Sequence, residues 1–477
     1  MEKQYRFGVL PSFFWLVFSL VISFYVTENN EATHYLYTIL CCVSYYLCFR
    51  NWLKFGGRIT SLYVFFVAYM LFCNMGQSIL YTLQVPLELL YLYFKIDVGE
   101  VANMLRFQNM CIAALNLGTS LYVSKPGNCV TLRSIQDGYK ANVISGKNTR
   151  RFDQICTFLL VVSLFYLFYE GFHMLIMRQT MSYHDFFESG RGETSNEFTR
   201  FVRFSAPYFS MWAIFKKKHV KLVYIALIAL VFIYMLTGAR GLSITYVAIL
   251  LLMAPITHRN LFQRKYIFVW CIGGIFCFSL LGVIGANRNN LNSNIFNSSD
   301  ALSANIITTV AEMGGSARPA VYAIEAADHG TMNFKTIPTT LVRSTIPLSS
   351  RISVVQDNNV GLSDRITDYA NNLSSGLGFS SIGELYVNFG NLGWMFMLLY
   401  GYFIAYAENE SYRRLLRGDM LYPLFLLTFL CTMVPWARSE FVRCLNVVRY
   451  GMYFIIGKFI IRSTTVRIKS RICSLSR

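Results

Sequence analysis

Apolar and polar positions alternate on a long scale in this chain. About a dozen stretches of mostly apolar residues are separated by short polar turns, and one long polar stretch, Asn287 to Ser380, breaks the pattern late. A helix needs ~20 mostly apolar residues to cross ~30 Å of hydrocarbon. Phe7–Val26, Ala32–Phe49, Ile59–Leu83, Val101–Val123, Ile155–Met177 and Phe198–Phe215 meet or approach that length. So do Leu222–Leu236, Leu242–Ile256, Tyr266–Ala286, Leu392–Ala407, Leu421–Trp436 and Leu445–Ile461. Lipid offers no partner to a backbone amide, so such stretches are helices. The pattern predicts an all-α, polytopic helical membrane bundle of about twelve transmembrane helices in one membrane domain, residues 1–477. The stretch 287–380 becomes a large outer loop carrying short helices and folded back on the bundle. The first span starts at once, and no small-residue cleavage site follows it, so it reads as a span and not a cleaved signal.

Composition agrees with this class. Hydrophobic residues make up 55% of the chain, and mean hydropathy is +0.42. The net charge of +18 would suit a nucleic-acid binder if it were spread evenly. It is not. With the N-terminus inside and the spans alternating, the inside turns hold most of the Lys and Arg and few carboxylates. The outside segments are slightly acidic. That asymmetry is the positive-inside rule, so both termini are expected in the cytoplasm and no nucleic acid is expected as a partner. Lys216-Lys217-Lys218, Arg413-Arg414 and the tail around Arg467 and Lys469 are topology anchors.

Several chemistries lack their residues. The twelve Cys contain no Cys-x-x-Cys pair and lie mostly within apolar spans. The six His have no metal-ligand spacing. No Gly-x-x-x-x-Gly-Lys-Ser/Thr loop occurs, and no inside turn is long enough to fold as a nucleotide domain. The chain is therefore expected to work without metal or cofactor, on a substrate already in the membrane or at its outer face.

Two regions gather candidate chemistry. Leu222–Ile256 is a hairpin with two short arms joined by Thr237-Gly238-Ala239-Arg240-Gly241. Short arms place the turn in a dip below the surface, and its glycines permit a tight reversal. Arg240 is then held near membrane depth, where a guanidinium needs an anion or a wet cavity. It either binds lipid phosphate at the interface or binds a ligand with the other outer cations: Arg288, Arg318, Arg343, Arg351, Arg438 and Arg443. Arg grips phosphate oxygens in pairs, so the set suits a diphosphate. In the long stretch, Ala301–Met313 and Ala320–Asp328 have helical spacing, ended by Gly314-Gly315 and Gly330. Glu384 opens the apolar run into the tenth span, where partial burial would raise its pKa; pairing with an Arg would instead make it structural. Glu312, Glu325, Asp364 and Asp368 are rival carboxylates. Tyr322, Tyr369 and Tyr386 are outer aromatic rings available for stacking on a ligand. Glu170 and His173 form an ionisable pair inside the fifth span, and Asn74, Gln77 and Ser78 are placed for hydrogen bonds between helices.

Thr237-Gly-Ala-Arg-Gly241 before a span, Glu312-Met-Gly-Gly-Ser316, and Gly376-Leu-Gly-Phe-Ser-Ser-Ile-Gly-Glu384-Leu-Tyr-Val-Asn-Phe-Gly390 resemble the Wzy-type O-antigen polysaccharide polymerases. The layout is similar over nearly the whole chain: many spans, both termini inside and one large periplasmic loop late in the sequence. The resemblance implies a membrane glycosyltransferase of the bacterial inner membrane. It would join undecaprenyl-diphosphate-linked oligosaccharide repeats into a surface polysaccharide, O-antigen or capsule, with a chain-length regulator as an expected partner. Such a reaction needs cations to neutralise the departing diphosphate and a base for the acceptor hydroxyl. Arg240, Arg288 and Arg318 are assigned the first task and Glu384 the second. Arg343, Arg351, Arg438, Glu312 and Tyr386 are assigned to substrate binding. Two rivals share the layout: a ligase moving lipid-linked glycan to another acceptor, and a flippase or transporter. No repeat between the two halves is visible, and the charges collect in one outer segment, which favours an enzyme.

Overall fold

The computed structural model describes residues 2–141, 150–180, 197–238, 240–258, 306–330, 337, 362–370, 379–441, 444, 448, 450 and 451. Among them every regular element is a helix. Glu31–Lys54, Leu62–Thr82, Phe152–Met177 and Leu421–Arg438 are long and apolar enough to cross a membrane. Val9–Tyr25, Val220–Leu236 and Gly241–Thr257 are shorter apolar helices. The expected spans Tyr266–Ala286 and most of Leu445–Ile461 lie outside the described residues.

The centre of the bundle is α4 (Val98–Val123), buried along most of its length. Packed around it are α1 (Glu2–Tyr25), α2 (Glu31–Lys54) and α14 (Trp394–Leu416). Small residues permit the closest of these contacts. A Cβ at Gly118 of α4 would collide with the Leu398 carbonyl, and one at Gly401 of α14 with the Leu115 carbonyl. Between apolar helices in lipid the hydrophobic effect adds nothing, so close packing and hydrogen bonds hold them together. A buried polar network does this across α1, α2 and α4. Asn51 Nδ2 donates to Asn116 Oδ1 (3.1 Å) and to Ser12 Oγ (3.0 Å), and Ser44 Oγ donates to Asn109 Oδ1 (2.7 Å).

A buried ion pair fastens the turn end of this group. Arg58, before α3 (Leu62–Thr82), places Nη2 2.6 Å from Glu408 Oε1 of α14. The other Glu408 oxygen accepts the Leu62 N–H at 3.1 Å, and the guanidinium lies 4.1 Å from the Tyr412 ring centre. Arg58 Nη1 also donates to the Val130 carbonyl before α5 (Leu132–Lys140).

The second group comprises α6 (Arg150–Thr180), α7 (Glu197–Phe215), α8 (Val220–Leu236) and α9 (Arg240–Thr257). The last two form the hairpin read from sequence. Gly238 turns it with φ +83°, a conformation that favours glycine.

The polar stretch contributes α10 (Ile306–Gly314), α11 (Arg318–Asp328) and α12 (Leu362–Tyr369), with α13 (Ser381–Phe389) beyond it. Helix α11 matches the spacing, ending before Gly330 at φ +71°, and residues 301–305 of the other expected helix lie outside the described residues. Helix α10 lies on α3, and α11 on α4 and α13. The polar residues of α3 hold them there. Gln77 Nε2 donates to the Ala311 carbonyl (2.7 Å), while Gln77 Oε1 accepts the Leu92 N–H (2.9 Å). Ser380 Oγ donates to Asn74 Oδ1, and Tyr93 Oη to Ser78 Oγ. Gly76 faces Gly314, and a Cβ on Gly76 would lie 2.6 Å from the Val310 carbonyl oxygen. The hydrogen bonds expected of Asn74, Gln77 and Ser78 are thus present, but their partners are Ala311 of α10, Ser380 before α13, and Leu92 and Tyr93 in the connection that follows α3.

Removing one member of a buried ion pair strands the other charge, at a cost of about 3–5 kcal/mol. Glu408→Ala is expected to lower the unfolding midpoint of the detergent-purified protein by many degrees. The double variant Arg58→Met/Glu408→Leu should lose much less. Equal losses from the single and double variants would show that the pair is not the fastening.

Candidate functional site

Five elements meet around one small, partly open cavity. Tyr69 of α3, Met235 of α8, Ser243 and Ile244 of α9, Thr309, Glu312 and Met313 of α10, and Arg438 line it. Its space is about 20 Å³, room for one water. The clamp between α3 and α10 sets its floor. Its other wall is the short 3-10 turn Val434–Arg438, which follows α15 (Leu421–Met433) and packs on α3 and α9. Glu312 and Arg438, 126 positions apart in sequence, therefore face one space. Ser243 Oγ is fully buried there and has no hydrogen-bond partner. Arg240 is the first residue of α9, one helical turn before Ser243; its side chain lies outside the described residues. Arg288, Arg343, Arg351 and Arg443 lie outside them as well, as does the side chain of Asp364.

Glu384 is in a different setting. It sits in the first turn of α13, 1% exposed, with Oε2 accepting the Trp436 indole N–H (2.9 Å) and the Phe441 backbone N–H (2.8 Å). Trp436 itself packs against Phe66, Phe396, Tyr400 and Phe441, so the buried carboxyl is bonded to the indole of an aromatic cluster. Among the described residues no cation pairs with it, so the Arg partner that would have made it structural is replaced by two neutral N–H donors. Burial pushes its pKa up to about 8, the two hydrogen bonds opposing the rise and Glu440 adding to it. The partial burial expected from sequence is thus complete.

The remaining candidates divide by environment. Arg318 opens α11, with its guanidinium 5.4 Å from the Tyr322 ring centre and its Nε buried without a partner; it is not among the residues lining the cavity. Tyr386 is 7% exposed, donates to Asp328 Oδ1 at 2.6 Å and meets Phe107 edge-on. Little of its ring is open to a sugar, so it fixes α11 to α13. Tyr369 donates to Glu325 Oε1. Glu170 does not pair with His173. Its partner is Arg203 of α7, which donates to both carboxylate oxygens, while Tyr234 Oη donates to Glu170 Oε2 at 3.1 Å. His173 stacks on Tyr169. Sequence reading missed Arg203, Trp436, Ser243 and Tyr69. Only Arg203, a charge within an apolar span, carried a signal of its own. Among the described residues no cluster of His, Cys, Asp and Glu is arranged to hold a metal ion.

The raised pKa of Glu384 has a sign that can be measured. The folded chain keeps a proton that the unfolded chain releases above the ordinary 4.5. Its contribution is complete below pH 4.5 and is lost as pH rises to about 8. Glu384→Gln retains an acceptor oxygen and cannot ionise. Its unfolding midpoint should match wild type near pH 5 and exceed it near pH 8. Parallel declines in both proteins would show that Glu384 is not the titrating group.

No curated protein and no solved structure matches this chain. The sequence model of the family described as O-antigen polysaccharide polymerase Wzy matches residues 12–469. With nearly the whole chain covered, the turn at Arg240 and the α10 and α13 segments fall inside the match, and the protein belongs to the O-antigen polysaccharide polymerase Wzy family.

Proposed function

We propose that the protein polymerises lipid-diphosphate-linked oligosaccharide repeats, undecaprenyl diphosphate being the carrier, at the outer face of the bacterial inner membrane. The single observation carrying this reading is the Glu312–Arg438 cavity beside the start of α9, within a chain of this family. The bond between the anomeric carbon of the growing chain and the carrier's phosphate oxygen breaks. A new bond forms from that carbon to a sugar hydroxyl of the incoming repeat. The hydroxyl proton passes to a carboxylate, and the carrier leaves as its diphosphate. Arg438, with Arg240, Arg288 and Arg318, neutralises the charge that grows on the leaving group. Arg343 and Arg351 are assigned to holding the same substrate, and a chain-length regulator would act from the membrane beside it.

Two carboxylates compete for the role of base. Glu384 is enclosed and mostly protonated at neutral pH, so it is better suited to holding the Val434–Arg438 turn in place. Glu312 lines the same partly open cavity as Arg438. We assign the proton to Glu312 and a positioning role to Glu384. The ligase and transporter readings have no observation of their own in their favour.

In a polymerisation assay with purified protein and lipid-linked repeats, Glu312→Gln should slow elongation by ~10²–10⁴. Arg438→Ala should do so by a similar factor, with Arg438→Lys only partly restored because an ammonium lacks the planar fork. Glu384→Gln should keep most of the rate at pH 7. If Glu384→Gln is the slow variant and Glu312→Gln is not, the base is Glu384.

The orientation is tested separately. In a Cys-less chain, His329→Cys at the exposed end of α11 should react with an impermeant thiol reagent in intact spheroplasts. Reaction only after lysis would place this segment in the cytoplasm and overturn the proposed topology.

A further inference from the structure

The hydroxyl of Ser243 is a buried polar group with no partner among the described residues, so its lost hydration is not made good by the protein. It is 0% exposed, it lines the Glu312–Arg438 cavity, and nothing among the described residues accepts from it or donates to it. It lies in the first turn of α9, a helix of 18 residues whose first N–H groups have no intrahelical acceptor. A helix start favours an anion through those N–H groups and the helix dipole. Arg438 faces the same space from the opposite element. The cavity's size admits a single oxygen atom with its substituent directed toward the opening.

We propose that this cavity seats one terminal oxygen of the leaving diphosphate and that Ser243 Oγ–H donates a hydrogen bond to it. The inference rests on the polymerase reading and adds a residue to it. Glu312 lines the same cavity, and its negative charge would repel the anion if the two were close. With room for one oxygen only, the cavity takes the diphosphate oxygen, and in this proposal the acceptor hydroxyl reaches Glu312 from the opening. As the glycosyl bond breaks, charge accumulates on the phosphate oxygens, so the Ser243 hydrogen bond strengthens in the transition state.

The same substitution should move stability and function in opposite directions. Ser243→Ala removes an unsatisfied hydroxyl, so the substrate-free protein should unfold at the wild-type temperature or above. A hydrogen bond to a charged group is lost with substrate, so kcat/KM for lipid-linked repeat should fall roughly tenfold to a hundredfold. Inorganic pyrophosphate, used as a leaving-group probe, should inhibit wild type and inhibit Ser243→Ala more weakly by a comparable factor. Ser243→Thr keeps the hydroxyl and should recover much of both. If Ser243→Ala keeps wild-type kcat/KM and wild-type inhibition by pyrophosphate, the seat is wrong while the polymerase reading stands. If no preparation polymerises but pyrophosphate raises the unfolding temperature of wild type and not of Ser243→Ala, the seat stands and the polymerase reading falls. A phospholipid headgroup offers the same phosphate chemistry. In nanodiscs, inhibition by pyrophosphate should be unchanged when phosphatidylglycerol replaces zwitterionic lipid. Inhibition that weakens with phosphatidylglycerol content would assign the cavity to bulk lipid and overturn the proposal.

Discussion

A carboxyl group buried against an aromatic cluster must give up its charge or find strong donors, and Glu384 does some of each. Ionising it there without a cation would be costly. The Trp436 and Phe441 N–H groups lessen the cost without removing it, which is why its pKa stays raised. The consequence is mechanical. Those two bonds join α13 to the stretch just after α15, so the short turn Val434–Arg438 has only one place to sit. Arg438 is the last residue of that turn. The direction of its guanidinium, and with it one wall of the cavity, depends on a carboxyl that does not line the cavity.

Helix α3 supplies the opposite constraint. It is apolar enough to cross a membrane, yet late in its length it carries Asn74, Gly76, Gln77 and Ser78. In a plain membrane helix those residues would be a liability. Here Gln77 uses its amide nitrogen on the Ala311 carbonyl and its oxygen on the Leu92 N–H, and the missing Cβ at Gly76 admits α10 to van der Waals contact. The returning segment is thus docked by backbone hydrogen bonds and close approach, which suit a surface where apolar attraction is weak. Glu312 is near the end of α10, so this docking also fixes where its carboxylate is carried.

Some of this could be read in the sequence and some could not, for reasons specific to particular residues. Apolar runs report helices because lipid leaves the backbone no alternative, and Gly238 and Gly330 report turns because their φ angles favour glycine. The polar residues of α3 were recognisable as hydrogen-bonding groups, but periodicity does not name a partner more than two hundred positions away. Glu170 shows the same gap. Its charge inside an apolar run signals a pair, and the nearest ionisable neighbour in sequence is His173. The actual partner, Arg203, lies on the next long helix. Glu384 was visible as a carboxylate entering an apolar run, whereas the aromatic cluster it bonds to is assembled from α3, α14 and the turn after α15. Ser243 gave no signal at all, because a serine in a membrane helix is ordinary and its lack of a partner exists only in three dimensions.

The ionic groups of the bundle fall into two kinds, and the difference separates structure from chemistry. Arg58 with Glu408, and Arg203 with Glu170, are matched cation to anion, and further donors or rings complete their shells. Such pairs are closed: a third charged group would displace a bond already made. At the Ser243 cavity the difference lies in one group: a buried hydroxyl with no partner among the described residues, at a helix start and in a space one oxygen wide. In the proposed reaction a diphosphate is taken up and released with each added repeat, so the Ser243 hydroxyl must not be satisfied in advance by the protein's own groups. If it were, the leaving group would have to compete with an internal partner at the moment its charge is greatest. Holding one donor unsatisfied in the resting protein destabilises that state slightly and keeps the hydrogen bond for the step that breaks the glycosyl–phosphate bond.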